Sequence, residues 1–244
     1  MAIDNVTNTI VLAAYNNVKT FVFNAQGAWE EIPEILYSND DGSNIHVALN
    51  NNTLVLGIDK SNQNYGTALV YEYNNNAWNH VQTLTNDNSQ VNQRFGNRVA
   101  IYNNFIAVSA YYYSVNSETE AGAVYVFKKD NGVWSQTPTA IINAVVPTPY
   151  DYFGSNITMY DNKLVVASYK LNYGIDVTSA YYRTGKCYHY YYNGSEWVIG
   201  SVIDPPTLEK DSLFGDNMNL NNSTLIVTNT YGVANNTFYL YVLP

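Results

Sequence analysis

The four tryptophans of this 244-residue chain stand at one place in a recurring phrase. "VKTFVFNAQGAW" ends at Trp29, "TALVYEYNNNAW" at Trp78, "AVYVFKKDNGVW" at Trp134 and "KCYHYYYNGSEW" at Trp197. Each phrase reads as an alternating strand, a polar Asn/Gly turn and a Trp that opens the next strand. A fifth copy, "TFYLYVLP" from Thr237, supplies the strand without the Trp. A second phrase, opening on Phe-Gly, stands upstream of three copies: "RFGNRVAIYNNFIAVSA", "YFGSNITMYDNKLVVAS" and "LFGDNMNLNNSTLIVTN". In the second unit it is reduced to Asp41-Gly42, and in the first only "NTIVLAAY" remains.

A period of this length means repeated supersecondary units, because one small sheet buries too little alone and must stack on its neighbours. In the third unit the strands are expected near Arg98–Tyr102, Phe105–Ala110, Ala123–Lys128 and Val133–Ile142. Val99/Ile101 and Val124/Val126 alternate as half-buried strands do. Asn and Gly in "YNN" and "KDNG" suit tight turns. The prolines fall in or after fourth strands (Pro33, Pro138) or between units, where a missing N–H does least harm. No long helix is expected. The fold class predicted is all-β, a β-propeller of four-stranded antiparallel blades, with five blades in a single domain spanning 1–244. Its units run approximately 1–37, 38–86, 87–143, 144–206 and 207–244. Met1–Val6 would supply the first strand of the first blade, leaving the fifth one strand short. Small residues ending the second strands (Ala13, Gly57, Ser109, Ala167, Thr228) would let blades approach closely. The Phe of Phe-Gly would plug between blades, and its Gly would turn the chain into the first strand.

Composition removes several classes of function. With 11 Lys+Arg against 20 Asp+Glu the net charge is −9, which opposes binding to nucleic acid or anionic membranes. No stretch approaches the roughly 18 apolar residues of a membrane span, so no membrane insertion is expected. "MAIDNVTNTIVLAAY" has neither the basic start nor the unbroken apolar run of a secretory leader. The single cysteine, Cys187, excludes an internal disulfide and reads as a small buried strand residue. His46, His80 and His189 lie in different units without ligand or triad spacing, and His189 reads as a packed or surface imidazole. The carboxylate pairs Glu30/Glu31, Asp40/Asp41 and Glu118/Glu120 read as solvated turn residues. Neither an enzyme nor a cofactor is expected.

Phe95-Gly96, Val99, Ser109-Ala110, Gly122-Ala123-Val124-Tyr125-Val126-Phe127 and Trp134 form a pattern that resembles the FG-GAP repeat. That repeat is found in integrin α-subunit propellers and many microbial surface proteins. The resemblance covers the chain in degraded copies and implies adhesion or ligand recognition rather than catalysis, in an extracellular, cell-surface or virion setting. It departs from the integrin pattern at one place. The turns "ALNNNT", "YNN", "YDN" and "LNNST" stand where integrin-type blades often carry a DxDxDG calcium loop, and Asp161 is their only carboxylate. Calcium wants about six or more oxygens with several carboxylates, so no metal site is expected.

Tyrosine is abundant at 24 residues, and it concentrates after second strands. Loops on a rigid scaffold commonly carry function, and tyrosine rings give contact area with a polar handle. The candidate ligand-binding residues are Tyr111, Tyr112, Tyr113, Tyr169, Tyr173, Tyr181, Tyr182 and Tyr231; Tyr169, Tyr173, Tyr181 and Tyr182 lie in the insertion "YKLNYGIDVTSAYYRTG". The opposing reading makes them fillers of strand ends. The function expected is a non-catalytic recognition or adhesion module for a glycan or protein, acting through one face. The alternatives are a structural component of a virion or surface layer, and an accessory domain of a larger enzyme.

Overall fold

The computed structural model describes all residues except 15–16, 34, 36, 38–43, 87–89, 170–182, 209 and 230–236. The first sheet is β1 (Ala2–Asp4), β2 (Thr9–Ala14), β3 (Asn17–Phe23) and β4 (Trp29–Ile32), paired in that order. The second is β5 (Ile45–Asn50), β6 (Thr53–Ile58), β7 (Thr67–Asn74) and β8 (Ala77–Leu84). The third is β9 (Phe95–Tyr102), β10 (Phe105–Ala110), β11 (Ala123–Asp130) and β12 (Val133–Trp134), with β13 (Ala140–Ile142) also on β11. The fourth is β14 (Asn156–Tyr160), β15 (Lys163–Ala167), β16 (Cys187–Tyr192) and β17 (Trp197–Ile203). β18 (Asn217–Asn221), β19 (Thr224–Asn229) and β20 (Thr237–Val242) make a three-stranded fifth. Five up-and-down sheets in chain order, with almost no helix, make the fold class all-β and its architecture a five-bladed β-propeller. Ser61–Asn64 is a tight turn in which Asn62 and Gln63 are left-handed.

By internal packing the chain divides into two compact units. One comprises Met1–Val108 and Val126–Thr139, the other Ser109–Tyr125 and Ala140–Pro244. In the first, Val11 and Val18 of sheet one pack with Leu54, Leu56 and Tyr71 of sheet two. In the second, Val165, Ala167 and Cys187 of sheet four pack with Phe214, Leu220, Leu225 and Val227.

The tryptophans hold one register. Trp29 pairs with Phe23, Trp78 with Tyr73, Trp134 with Lys129 and Trp197 with Tyr192, each facing the end of its third strand. Their burial differs widely, from 3% exposed at Trp134 to 49% at Trp29. Two local expectations need correction. The inner strands of the third sheet are not half-buried: Val99–Ile101 and Ala123–Phe127 are continuously buried, as in strands covered on both faces. The fourth strand of that unit ends at Trp134, with Ser135 N–H still on the Lys128 carbonyl at 2.9 Å, and resumes as β13 only after Pro138, which has no N–H to give a ladder. Thr139 N–H restores the pairing to the Val126 carbonyl at 2.7 Å.

The Phe-Gly phrase has a structural cause that recurs three times. Phe95, Phe153 and Phe214 are fully buried. Their N–H groups donate to the carbonyls of Tyr65, Ala121 and Thr184, each the residue before a glycine. Those glycines, Gly66, Gly122 and Gly185, lie so close to the Phe backbone that an added Cβ would meet its carbonyl oxygen at 1.8, 2.1 and 2.3 Å. Small second-strand residues serve the same approach: a Cβ on Gly57 would stand 2.1 Å from the Gly96 oxygen, and one on Gly215 2.7 Å from Ala167 Cβ. In these three copies a glycine preceding the third strand and a Phe-Gly opening the next unit therefore form a clasp.

Candidate functional site

β10 ends at Ala110, and the chain leaves it through Tyr111–Tyr113. The segment Tyr150–Phe153 approaches from before β14, held by Tyr150 N–H on the Thr119 carbonyl (2.8 Å) and Tyr152 N–H on the Glu120 carbonyl (3.2 Å). Four rings meet there. Tyr111 and Tyr112 lie 4.2 Å apart, Tyr152 is 5.3 Å from Tyr112 and 5.9 Å from Tyr111, and Tyr150 is 6.4 Å from Tyr152. Tyr111, Tyr112 and Tyr152 are partly exposed, and Tyr150 is 48% exposed. Burial raises the Tyr152 phenol well above its usual range, and donation of its hydroxyl to the Glu120 carboxylate raises it further. It stays a neutral donor. Asp151, between the two tyrosines, is buried and accepts from Thr148 N–H (2.8 Å) and Oγ1 (2.5 Å).

Backbone geometry explains how these rings are placed. Residues three and one before each clasp phenylalanine are left-handed in all three copies: Asn92 and Arg94, Tyr150 and Tyr152, Asp211 and Leu213. The scaffold fixes that conformation and leaves the side chain open. Left-handed φ favours Gly, Asn or Asp and costs other residues about 1–2 kcal/mol. Two copies carry Asn or Asp at the outer position. The middle copy carries tyrosine at both.

Of the residues singled out from sequence, Tyr111 and Tyr112 lie in this cluster. Tyr113 turns aside onto buried Tyr125, at 6.0 Å and nearly perpendicular. Tyr169 follows β15, its N–H on Ser155 Oγ at 3.1 Å. Tyr173, Tyr181, Tyr182 and Tyr231 fall outside the described residues. Sequence reading missed Tyr150 and Tyr152. Their signal was position: they immediately precede a Phe-Gly, where the clasp draws the chain against the loop leaving β10.

Residues 78–127 match the FG-GAP repeat. The matched FG-GAP segment opens on Trp78 and closes on Phe127, whose ring packs edge-on against clasp Phe95 at 6.2 Å. No curated protein matches the chain in sequence. In structure it is similar to the crystal structure of a protein from Lactobacillus plantarum, a structural genomics target. The two share 14% identity at a TM-score of 0.58, over 99% of this chain and 69% of that one. At such identity the likeness shows the fold alone.

Elsewhere in the sheets several titratable groups are held by structural neighbours, though both ring nitrogens of His189 lack a hydrogen-bond partner. The His46 ring accepts from Arg98 Nη1 at 2.8 Å, and burial first, then the Arg98 charge and the chain's amino terminus, hold its pKa down to about 3. His80 Nε2 is 3.1 Å from Thr83 Oγ1. His189 is buried, with its pKa lowered by burial and by Lys163, and a Cβ on Gly200 would come 2.8 Å from its Nδ1. Burial pushes the Cys187 thiol far up, which disfavours the thiolate a nucleophile needs. Glu31 pairs with Lys19 at 2.8 Å. Asp40 and Asp41 fall outside the described residues. Among the described residues no three His, Cys, Asp or Glu side chains gather as metal ligands, and no helix is long and apolar enough to cross a membrane.

Proposed function

We propose that this chain is a non-catalytic recognition module whose surface for a protein or glycan partner includes Tyr111, Tyr112, Tyr150 and Tyr152. An FG-GAP propeller is compatible with such a role. The observation that carries the reading is the use of tyrosine at two left-handed positions, one of which is Asn or Asp in the other copies. A conformational cost accepted at one copy alone supports selection for the ring rather than for the turn. Grouped aromatic rings with hydroxyls suit sugar faces and protein surfaces alike, and they lose little rotamer entropy on binding. Burial of the Cys187 thiol, which disfavours its thiolate, supports a non-catalytic reading. The test is a Tyr112→Ser/Tyr150→Ser double variant, screened beside wild type on glycan and protein arrays. Binding should fall at least about tenfold, the combined weight of two modest ring interactions, with the thermal midpoint nearly unchanged. A variant that melts much earlier yet binds normally would make these tyrosines fillers.

A further inference from the structure

The turns that lack calcium ligands line a pocket of their own. Between sheets two and three, within the first compact unit, lies a cavity of about 520 Å³, inside the roughly 300–1,000 Å³ range of small-molecule sites. Asn50, Asn51, Asn52, Asn74, Asn103 and Asn104 line it, with Thr53, Tyr73 and a Glu72–Lys129 ion pair. Turn geometry explains only part of this composition. Asn51 and Asn103 are left-handed, where Asn is favoured, but Asn50, Asn52, Asn74 and Asn104 are not.

The frame of the pocket is fixed from within. Asn50 Oδ1 accepts from Asn103 N–H at 2.7 Å and from Asn51 Nδ2 at 3.3 Å, tying the β5–β6 turn to the β9–β10 turn. Tyr73 N–H donates to the Asn52 carbonyl and Lys129 N–H to the Asn104 carbonyl, both at 2.8 Å. Asn74 Oδ1 accepts from Asn79 Nδ2 at 2.9 Å. The side-chain amides of Asn52 and Asn104 are exposed and bond to no other described residue.

The chemistry of the lining narrows the ligand. One carboxylate among amides is too few for a hard cation. The one cation, Lys129, sits 2.5 Å from Glu72, so the site offers no net positive charge to phosphate, sulfate or sialic acid. The chain's net charge of −9 opposes anions further. An amide-walled cavity is equally poor for an apolar ligand, which would desolvate donors and acceptors without replacing their partners. Each carboxamide offers two donors and an acceptor, which complement a hydroxyl that both donates and accepts.

We infer that this pocket is a binding site for a neutral oligosaccharide. Asn52 and Asn104 make the adaptable contacts, and Asn50 holds the two turns in register. The site is separate from the tyrosine cluster and does not depend on it. Saturation-transfer NMR against neutral oligosaccharides of hexose and N-acetylhexosamine, beside sialylated and sulfated counterparts, tests it. A neutral member should bind, and its dissociation constant should rise at least about tenfold in Asn52→Ala/Asn104→Ala, the loss of two ordinary hydrogen bonds. It should be unchanged in Tyr112→Ser/Tyr150→Ser. In the wild-type protein the side-chain NH₂ signals of Asn52 and Asn104 should shift on titration, a reading independent of how the variants fold. Failure of every neutral sugar to bind, binding of acidic sugars alone, or a neutral hit that leaves those signals and the Asn variant's affinity unmoved would overturn the assignment.

Discussion

Replacing Trp134 by alanine should destabilise the protein far more than the same change at Trp29, although the two share a register. Trp134 is 3% exposed and lies beneath Lys129, whose Nζ is 5.5 Å from the ring centroid. Its indole N–H makes no hydrogen bond, so the change removes apolar contact and little else. About 200 Å² of buried side chain at about 25 cal/mol per Å² gives about 5 kcal/mol, from which the retained Cβ subtracts. The expected cost is therefore about 3–5 kcal/mol, the usual range for a buried aromatic. Trp29 is 49% exposed and rests on Phe23 at 5.3 Å. Half of its area already faces water and no cavity would form, so about 1–2 kcal/mol is expected. Urea unfolding followed by far-ultraviolet circular dichroism reads both costs. Equal losses, or a larger loss at Trp29, would refute the reasoning that burial rather than repeat position sets the energy.

The clasp predicts a contrast between two glycines of nearly equal φ. Gly122→Ala would drive a Cβ to 2.1 Å from the Phe153 oxygen, so its thermal midpoint should collapse, while Gly132→Ala meets nothing within 4 Å and should cost only about 1–2 kcal/mol of left-handed strain; similar midpoints for the two would refute the clasp. His46 gives a pH dependence: its folded pKa of about 3 lies below the unfolded value near 6.5, so its stabilising neutral state is fully favoured above pH 6.5 and is lost as pH falls toward 3. Discounted for partial exposure, the loss at pH 5 is about 1 kcal/mol, and His46→Gln should flatten the slope of stability between pH 6.5 and 4; parallel slopes would show that the ring does not titrate in this way.

What was legible in the sequence was whatever repeats locally. Strand alternation and Asn/Gly turns set the sheets, and the Trp spacing set their register, because each depends on neighbours a few residues away. Degree of burial was not legible, since Trp29 and Trp134 differ only in what is packed over them. Long-range pairs were equally hidden. His46 and Arg98 meet across 52 residues of chain, and Asn50 reaches Asn103 across 53. The Asn-rich turns were visible as turns without calcium ligands. That two of them converge on one cavity is a tertiary fact with no period to announce it. The tyrosine cluster shows the same division: Tyr111 and Tyr112 stood out as a run, while Tyr150 and Tyr152 stood in a linker beside Pro147 and Pro149.

Repetition also supplies a way to separate scaffold from site. Where three copies share a strained backbone, the residue that suits the strain is explained by the fold, as Asn92 is, and the residue that opposes it calls for another cause. Tyr150 opposes it. Applied to the Asn pocket, the same comparison discounts Asn51 and Asn103, which are left-handed as turn asparagines commonly are, and leaves Asn52 and Asn104, which are not. Their side-chain amides also bond to no other described residue, although both backbone carbonyls are paired. Function on a repeat fold is therefore best sought at positions where one copy departs from the residue that its own backbone prefers. The outer left-handed tyrosine by that measure, and Asn52 and Asn104 by their unpaired side-chain amides, are the residues whose replacement should change binding while leaving the blades intact.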